Sequence, residues 1–167
     1  MVTKYLIFFY LLFLLPASAL VAQDNVKSTK NHGFIKNSDP IAFIKVNGVI
    51  LELKVLLKLK EQLKGLSGVK KGELKTNQGA LFLYSEEGDR SFWMPNTYFD
   101  LAIIFLDKNF KVTHLEKQAK AHPGTEEPPI IYRTKTVKAK YVIEVASSNP
   151  VVFGLEVGDQ LKLLSKL

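Results

Sequence analysis

The one tryptophan of this 167-residue chain stands in SFWMPNTYFDLAIIFLD, residues 91–107, three positions before an amide, four before a hydroxyl and seven before a carboxylate. An indole face stacks a sugar or similar ring. Asn96, Thr97 and Asp100 supply the donors and acceptors that would orient it, so Trp93 with these three makes a candidate ligand rim. The same residues also suit core packing beside a proline turn, with Asn96 and Thr97 bonded to local backbone. Catalysis has less to work with. Asp100 and Asp107 would point to opposite faces of one continuous strand, so they form no natural acid–base pair. Glu86, Glu87 and Asp89 share a charged turn, and Glu126 and Glu127 precede two prolines; both groups read as solvated loops. His32, His114 and His122 have no HxH or HxxxH spacing, so no metal site is expected. No GxSxG elbow or glycine-rich phosphate loop occurs. A chain with no cysteine has no disulfide, thiolate zinc site or cysteine nucleophile. No catalytic residue and no cofactor is assigned.

Composition and the N-terminus narrow the setting. Lys4, the apolar run from Tyr5 to Leu15, Pro16 and the small residues Ala17, Ser18 and Ala19 follow the order of a secretory signal peptide, with cleavage after Ala19 or Ala22. Eleven apolar residues are too few for a helix across a bilayer, which takes about 20. Residues 1–22 are therefore expected to be a leader, residues 23–40 a flexible polar tether and residues 41–167 a single domain, periplasmic or extracellular and without a permanent membrane span. The formal net charge is +7, of which Lys4 supplies one. Nucleic acid is not expected as a partner, because only Arg90 and Arg133 are arginine and tight phosphate sites favour the guanidinium fork. Seven lysines between Lys54 and Lys75 face only Glu61 and Glu73. That run is either a solvated helix face or a patch for an anionic surface.

The elements that must position these residues are short. IAFIKV, the Asn47–Gly48 pair and VILELKV predict a hairpin with a type I′ turn. Leu56, Leu59, Leu63 and Leu66 predict one side of an amphipathic helix, with Gly65 as its stop. ALFLY predicts a strand ended by the charged turn at 86–89, and SFWM another, interrupted by Pro95. LAIIFLD is apolar at both parities, which predicts a central strand covered on both faces. KVTHLE, IIYR and KAKYVIEV predict later strands. Asn149, Pro150 and Gly154 bracket a short helical turn, and LKLL follows a turn at Gly158–Asp159. The fold class is α+β: mostly antiparallel β, a sheet curled like a barrel, with one amphipathic helix and one helical turn.

Three blocks, KEQLKGL, then QGALFLY with SFWMPNTYFDLAIIFLD, then AKYVIEV with FGLEVGDQLKL, span roughly residues 49–163, and in that order they resemble the domain of unknown function 192 family. KEQLKGL, residues 60–66, resembles that family's charged helix ending in glycine and leucine. QGALFLY with SFWMPNTYFDLAIIFLD carries Phe92, Trp93, Met94, Asn96 and Thr97 of its most specific string. AKYVIEV with FGLEVGDQLKL places Gly154, Gly158 and Asp159 at the family's closing turn. Ser67 and Ala80 replace common methionines, Pro95 a usual lysine and Ala102 a usual aspartate. The resemblance implies a compact, largely β domain and no established reaction. The resulting expectation is a monomeric, exported module that binds a small molecule, a glycan or an anionic envelope surface without catalysis. The alternative is a hydrolase or lyase acting on envelope polysaccharide, with Asp100 as general acid or base.

Overall fold

In the computed structural model, residues 33–167 are described; the expected leader and the first part of the expected tether, with His32, lie outside them. The last part of that tether is held against the domain. Phe34 N donates to Glu73 O (2.8 Å), Val55 N donates to Pro40 O (2.8 Å), and Lys54 both pairs with Asp39 (2.9 Å) and lies over the Phe34 ring.

The strands are β1 (Ile41–Val46), β2 (Val49–Leu56), β3 (Gln78–Arg90), β4 (Leu101–Leu106), β5 (Val112–Ala119), β6 (Val137–Ala146) and β7 (Lys162–Leu163). Two short helices are α1 (Leu59–Lys64) and α2 (Pro150–Phe153). One sheet runs in the order β5-β4-β6-β3-β2-β1-β7. Every pairing is antiparallel except β2–β3. A parallel pair needs a crossover, and residues 57–77, with α1, provide it over one face of the sheet. The two ends of the order meet where the segment before β7 turns back on β5. Lys111 bridges Gln160, Val112 N donates to Asp159 O (2.8 Å) and Gly158 N donates to Val112 O (2.8 Å), so the sheet curls into a half-barrel.

Local chemistry explains the parts that match the sequence reading. Asn47 and Gly48 take φ of 46° and 84°, the left-handed pair that a type I′ turn requires. The Asn149 side chain accepts from Val151 N (3.1 Å) and donates to Thr76 O (2.6 Å), so it caps α2 and ties it to the crossover. Along β4 all six residues are buried. Ala102, Ile104 and Leu106 join the inner cluster with Leu53, Leu81, Ile143 and Val145. Leu101, Ile103 and Phe105 join the outer one with Phe82, Met94 and Val142.

Three expectations are corrected. The charged stretch at 86–89 does not end β3; the strand continues as an irregularity in which Leu83 to Gly88 spans only Tyr141 to Ala139 on β6. SFWM and IIYR are not strands. They face each other as an irregular ribbon, with Phe92 N bonded to Thr134 Oγ1 (2.9 Å), Met94 N to Tyr132 O (3.1 Å) and isolated bridges at Trp93–Arg133 and Thr97–His122, because Pro95 and the positive φ of Asn96 (51°) break the pleat. The helix buries no residue. Leu56 and Leu66 are buried outside its ends, while Leu59 and Leu63 are 70% and 77% exposed. Gln62 anchors α1 instead, its amide donating to Leu56 O and Leu83 O (both 3.0 Å).

Two substitutions separate these roles. Ile104→Ala should cost about 2–5 kcal/mol, as expected for a buried side chain with no route to collapse. Leu63→Ala should stay within about 0.5 kcal/mol. Urea midpoints for both variants test the pair; equal losses would place α1 in the core.

Candidate functional site

Between α1 and residues 91–97 the outer face of the sheet is open, leaving a groove of about 270 Å³. Glu144 of β6 lies in its floor, with Ala80 and Ile103 as its neighbours on β3 and β4. The small Ala80 leaves space beside the carboxyl, and the backbone of the crossover fills part of it. Gly65 sits there at φ 50°. A Cβ on it would lie 2.6 Å from Glu144 Oε2 and 2.9 Å from Phe82 Cζ, so both the torsion and the space demand glycine. The next residue holds the acid: Leu66 N donates to Glu144 Oε2 (3.0 Å). Among the described residues this is the one hydrogen bond to that carboxyl.

Burial dominates the chemistry of Glu144, which is 6% exposed. Removal from water pushes its pKa up to about 7, against the single N–H of Leu66 that favours the charged form. Tyr84, in the wall, is pushed up to about 12, chiefly by burial; the Arg90 guanidinium 3.7 Å over its ring acts in the opposite sense, and the Glu144 charge adds to the rise. Trp93 forms the outer lip. It is 51% exposed, and Arg133 covers one face of its ring at 4.4 Å, leaving the rest of the indole to the groove and solvent. Leu59 and Leu63 form the opposite lip. An acid near neutrality, an aromatic platform and apolar walls can hold a small ligand and give or take one proton.

The four residues nominated from sequence divide between places. Trp93 and Thr97 line this groove, although Thr97 is 2% exposed and its hydroxyl donates to Pro95 O (3.2 Å). Asn96 is a backbone pivot, donating to Gly124 O (2.6 Å) and accepting from Gly68 N (2.8 Å). Asp100 opens onto another cavity, of about 520 Å³, with Lys71, Lys75, Ser147 and Ser148. Ala121 N (2.9 Å), Gln118 (3.0 Å) and Lys120 (3.1 Å) all bond its carboxylate. The Ala121 N–H, ahead of the Lys120 contact, holds Asp100 below the usual carboxylate range, which makes it a poor proton donor. His122 is buried with its Nε2 at Glu126 O (3.0 Å).

Sequence reasoning passed over Glu144, Tyr84 and Gly65. The signal was present in AKYVIEV, where a lone acid occupies an outer-face position of an otherwise apolar strand. The blocks KEQLKGL, SFWMPNT and AKYVIEV, far apart in the chain, meet at this groove.

A half-barrel domain with an acid-floored groove under a short crossover helix is thus defined. The chain belongs to the DUF192 family, described as an uncharacterized ACR, whose model matches residues 42–163. Among solved structures it is similar to a "putative transcription regulator" from Sinorhizobium meliloti 1021, with 19% identity, a TM-score of 0.61, and coverage of 77% of this chain and 98% of that one. It is also similar to a protein of unknown function from Novosphingobium aromaticivorans DSM 12444, with 24% identity, a TM-score of 0.55, and coverage of 74% and 84%. Both likenesses concern the fold alone. No curated protein matches the sequence.

The position of Glu144 has a pH signature. Below the ordinary glutamate range the group is neutral in both folded and unfolded chains. From there to about 7 the folded state holds the proton more tightly, so stability falls as pH rises through that window. Glu144→Gln keeps an acceptor for Leu66 N and should remove this slope, gaining on the parent by a few kcal/mol above about pH 8 and by nothing near pH 4. Denaturation midpoints across pH read it directly, and parallel profiles for the two proteins would mean the acid is solvated.

Proposed function

We propose that this protein is an exported, monomeric binding module whose groove takes a small ring-shaped ligand such as an envelope saccharide unit, stacked on Trp93 and hydrogen-bonded to Glu144. The observation that carries the reading is a nearly buried carboxyl in the floor of an open groove with one protein hydrogen bond. A desolvated acceptor of that kind gains from a ligand hydroxyl in a way that a solvated carboxylate does not. Gln62, Ser67 and Ser91 also line the groove and supply further polar contacts. Export is supported by the order Lys4, apolar run, Pro16 and Ala17–Ala19.

A second reading has specific support. A glutamic acid with a pKa of about 7 in a cleft has the proton affinity suited to general acid or base work, so hydrolysis or elimination on an envelope polysaccharide would use Glu144. Asp100, the carboxylate nominated from sequence, is engaged elsewhere. Catalysis would appear as new reducing or unsaturated ends that accumulate with the parent and are absent with Glu144→Gln.

Titration of Trp93 fluorescence with soluble fragments of envelope polysaccharide tests binding, since the chain has one tryptophan. Saturable change is expected, weakened about tenfold by Glu144→Gln. The same loss is expected from Trp93→Phe, followed by calorimetry. No response to any fragment at millimolar concentration would overturn the reading. Export has its own check: protein recovered outside the cytoplasm should begin at Leu20 or Gln23, and an intact Met1 there would contradict cleavage.

A further inference from the structure

Leu57, Leu59, Leu63 and Trp93 are all large apolar side chains, and each is more than half exposed. Leu59, Leu63 and Trp93 line the same groove, so they form one surface, and Leu57 leads into it along the chain. No folding requirement puts them there, because α1 is held by Gln62 and by Leu56 and Leu66 at its ends. Lysines interleave with them: Lys58, Lys60 and Lys64 are exposed. Among the described residues none of the three enters an ion pair. The nearby acid, Glu61, is turned back to accept from Leu57 N (3.3 Å) and Lys58 N (3.2 Å).

We propose that this face docks on an anionic phospholipid bilayer, with Leu57, Leu59, Leu63 and Trp93 entering the headgroup and upper acyl region and Lys58, Lys60 and Lys64 meeting lipid phosphates. Leucines flanked by lysines and a tryptophan at the rim are the side-chain types that settle at a bilayer interface. Charge selects the occupant. A second copy would bring the same unpaired lysines face to face across a two-fold axis, which opposes self-association. A bilayer with negative headgroups satisfies both the apolar and the cationic halves of the surface. The proposal shares Trp93 and the groove's leucine lip with the saccharide reading and is distinguished from it by Glu144, which lies in the groove floor and takes no part in docking.

The test uses the full chain and its one tryptophan as a local depth probe. Vesicles of phosphatidylglycerol mixed with phosphatidylcholine, carrying bromine on their acyl chains, should quench Trp93, whereas pure phosphatidylcholine vesicles should quench it far less. Added salt should reduce the effect. Leu59→Ser with Leu63→Ser, at positions whose exposure spares the fold, should weaken vesicle binding by about tenfold or more. Lys58→Glu with Lys60→Glu should do the same by on the order of tenfold. Glu144→Gln should leave vesicle binding intact while weakening saccharide binding about tenfold, and Lys58→Glu with Lys60→Glu should do the reverse, so failure of one reading is distinguishable from failure of the other. Absence of quenching, or quenching unmoved by the leucine and lysine substitutions, would overturn the proposal. So would a dimer in sedimentation equilibrium that the leucine substitutions abolish, which would assign the face to a second copy.

Discussion

The hydrogen bond from Leu66 N to Glu144 Oε2 joins the crossover to the sheet at the point where a carboxyl is buried in the outer face. Everything around it follows from accommodating that group. Gly65 must lack a side chain so that the backbone can approach, and the residue paired with Glu144 on β3 is the small Ala80. The chain then leaves the sheet on both sides of this contact, as α1 before it and as residues 67–77 after it. A buried acid is costly, and an apolar residue of similar size would pack there more favourably. Its presence under a groove, with its proton affinity brought to the neutral range, is why the groove has a chemical character and is not merely a dent in the surface.

Legibility in the sequence tracked the range of the interactions concerned. Asn47–Gly48 and Asn149–Pro150 act on backbone groups within a few residues, so their turn and cap could be read directly. β4 was legible too, because an apolar run at both parities has few solutions other than a strand covered twice. Leu59 and Leu63 misled for a physical reason. Helical spacing says which side chains share a face but not whether another element lies against that face, and here Gln62 makes the attachment. SFWM and IIYR carried strand composition, yet Pro95 and Asn96 bend the first so that only scattered backbone groups pair. The lining of the candidate groove was half legible. Trp93 and Thr97 belong to it, but Glu144 and Gly65 come from segments separated by most of the domain, and no local pattern announces that meeting. Asp100 illustrates the converse: nearness in sequence to Trp93 did not bring it to the same cavity.

Trp93 and Arg133 show how the groove is made directional. A guanidinium laid on one face of the indole covers that face and leaves contact with Trp93 to the rest of the ring, which borders the groove and solvent. The Arg133 position is itself set by the irregular ribbon between residues 92–97 and 122–134, in which backbone pairing at Trp93 and Thr97 takes the place of a regular strand. An arrangement that interrupts the sheet locally thus supplies the lip, where a pleated strand would have turned alternate side chains away.

The return of residues 158–161 to the start of β5, and of β7 to β1, gives the half-barrel an order of assembly. On the side away from β2, Ile44 and Lys45 find their partners in Leu163 and Lys162, far along the sequence from them. Contacts across so much sequence are slow to form, because the chain between them must be closed into a loop before the pairing stabilises it. The pairing of β7 with β1 is therefore a late-closing seam, and the half-barrel stays open along that side until distant parts of the chain have met.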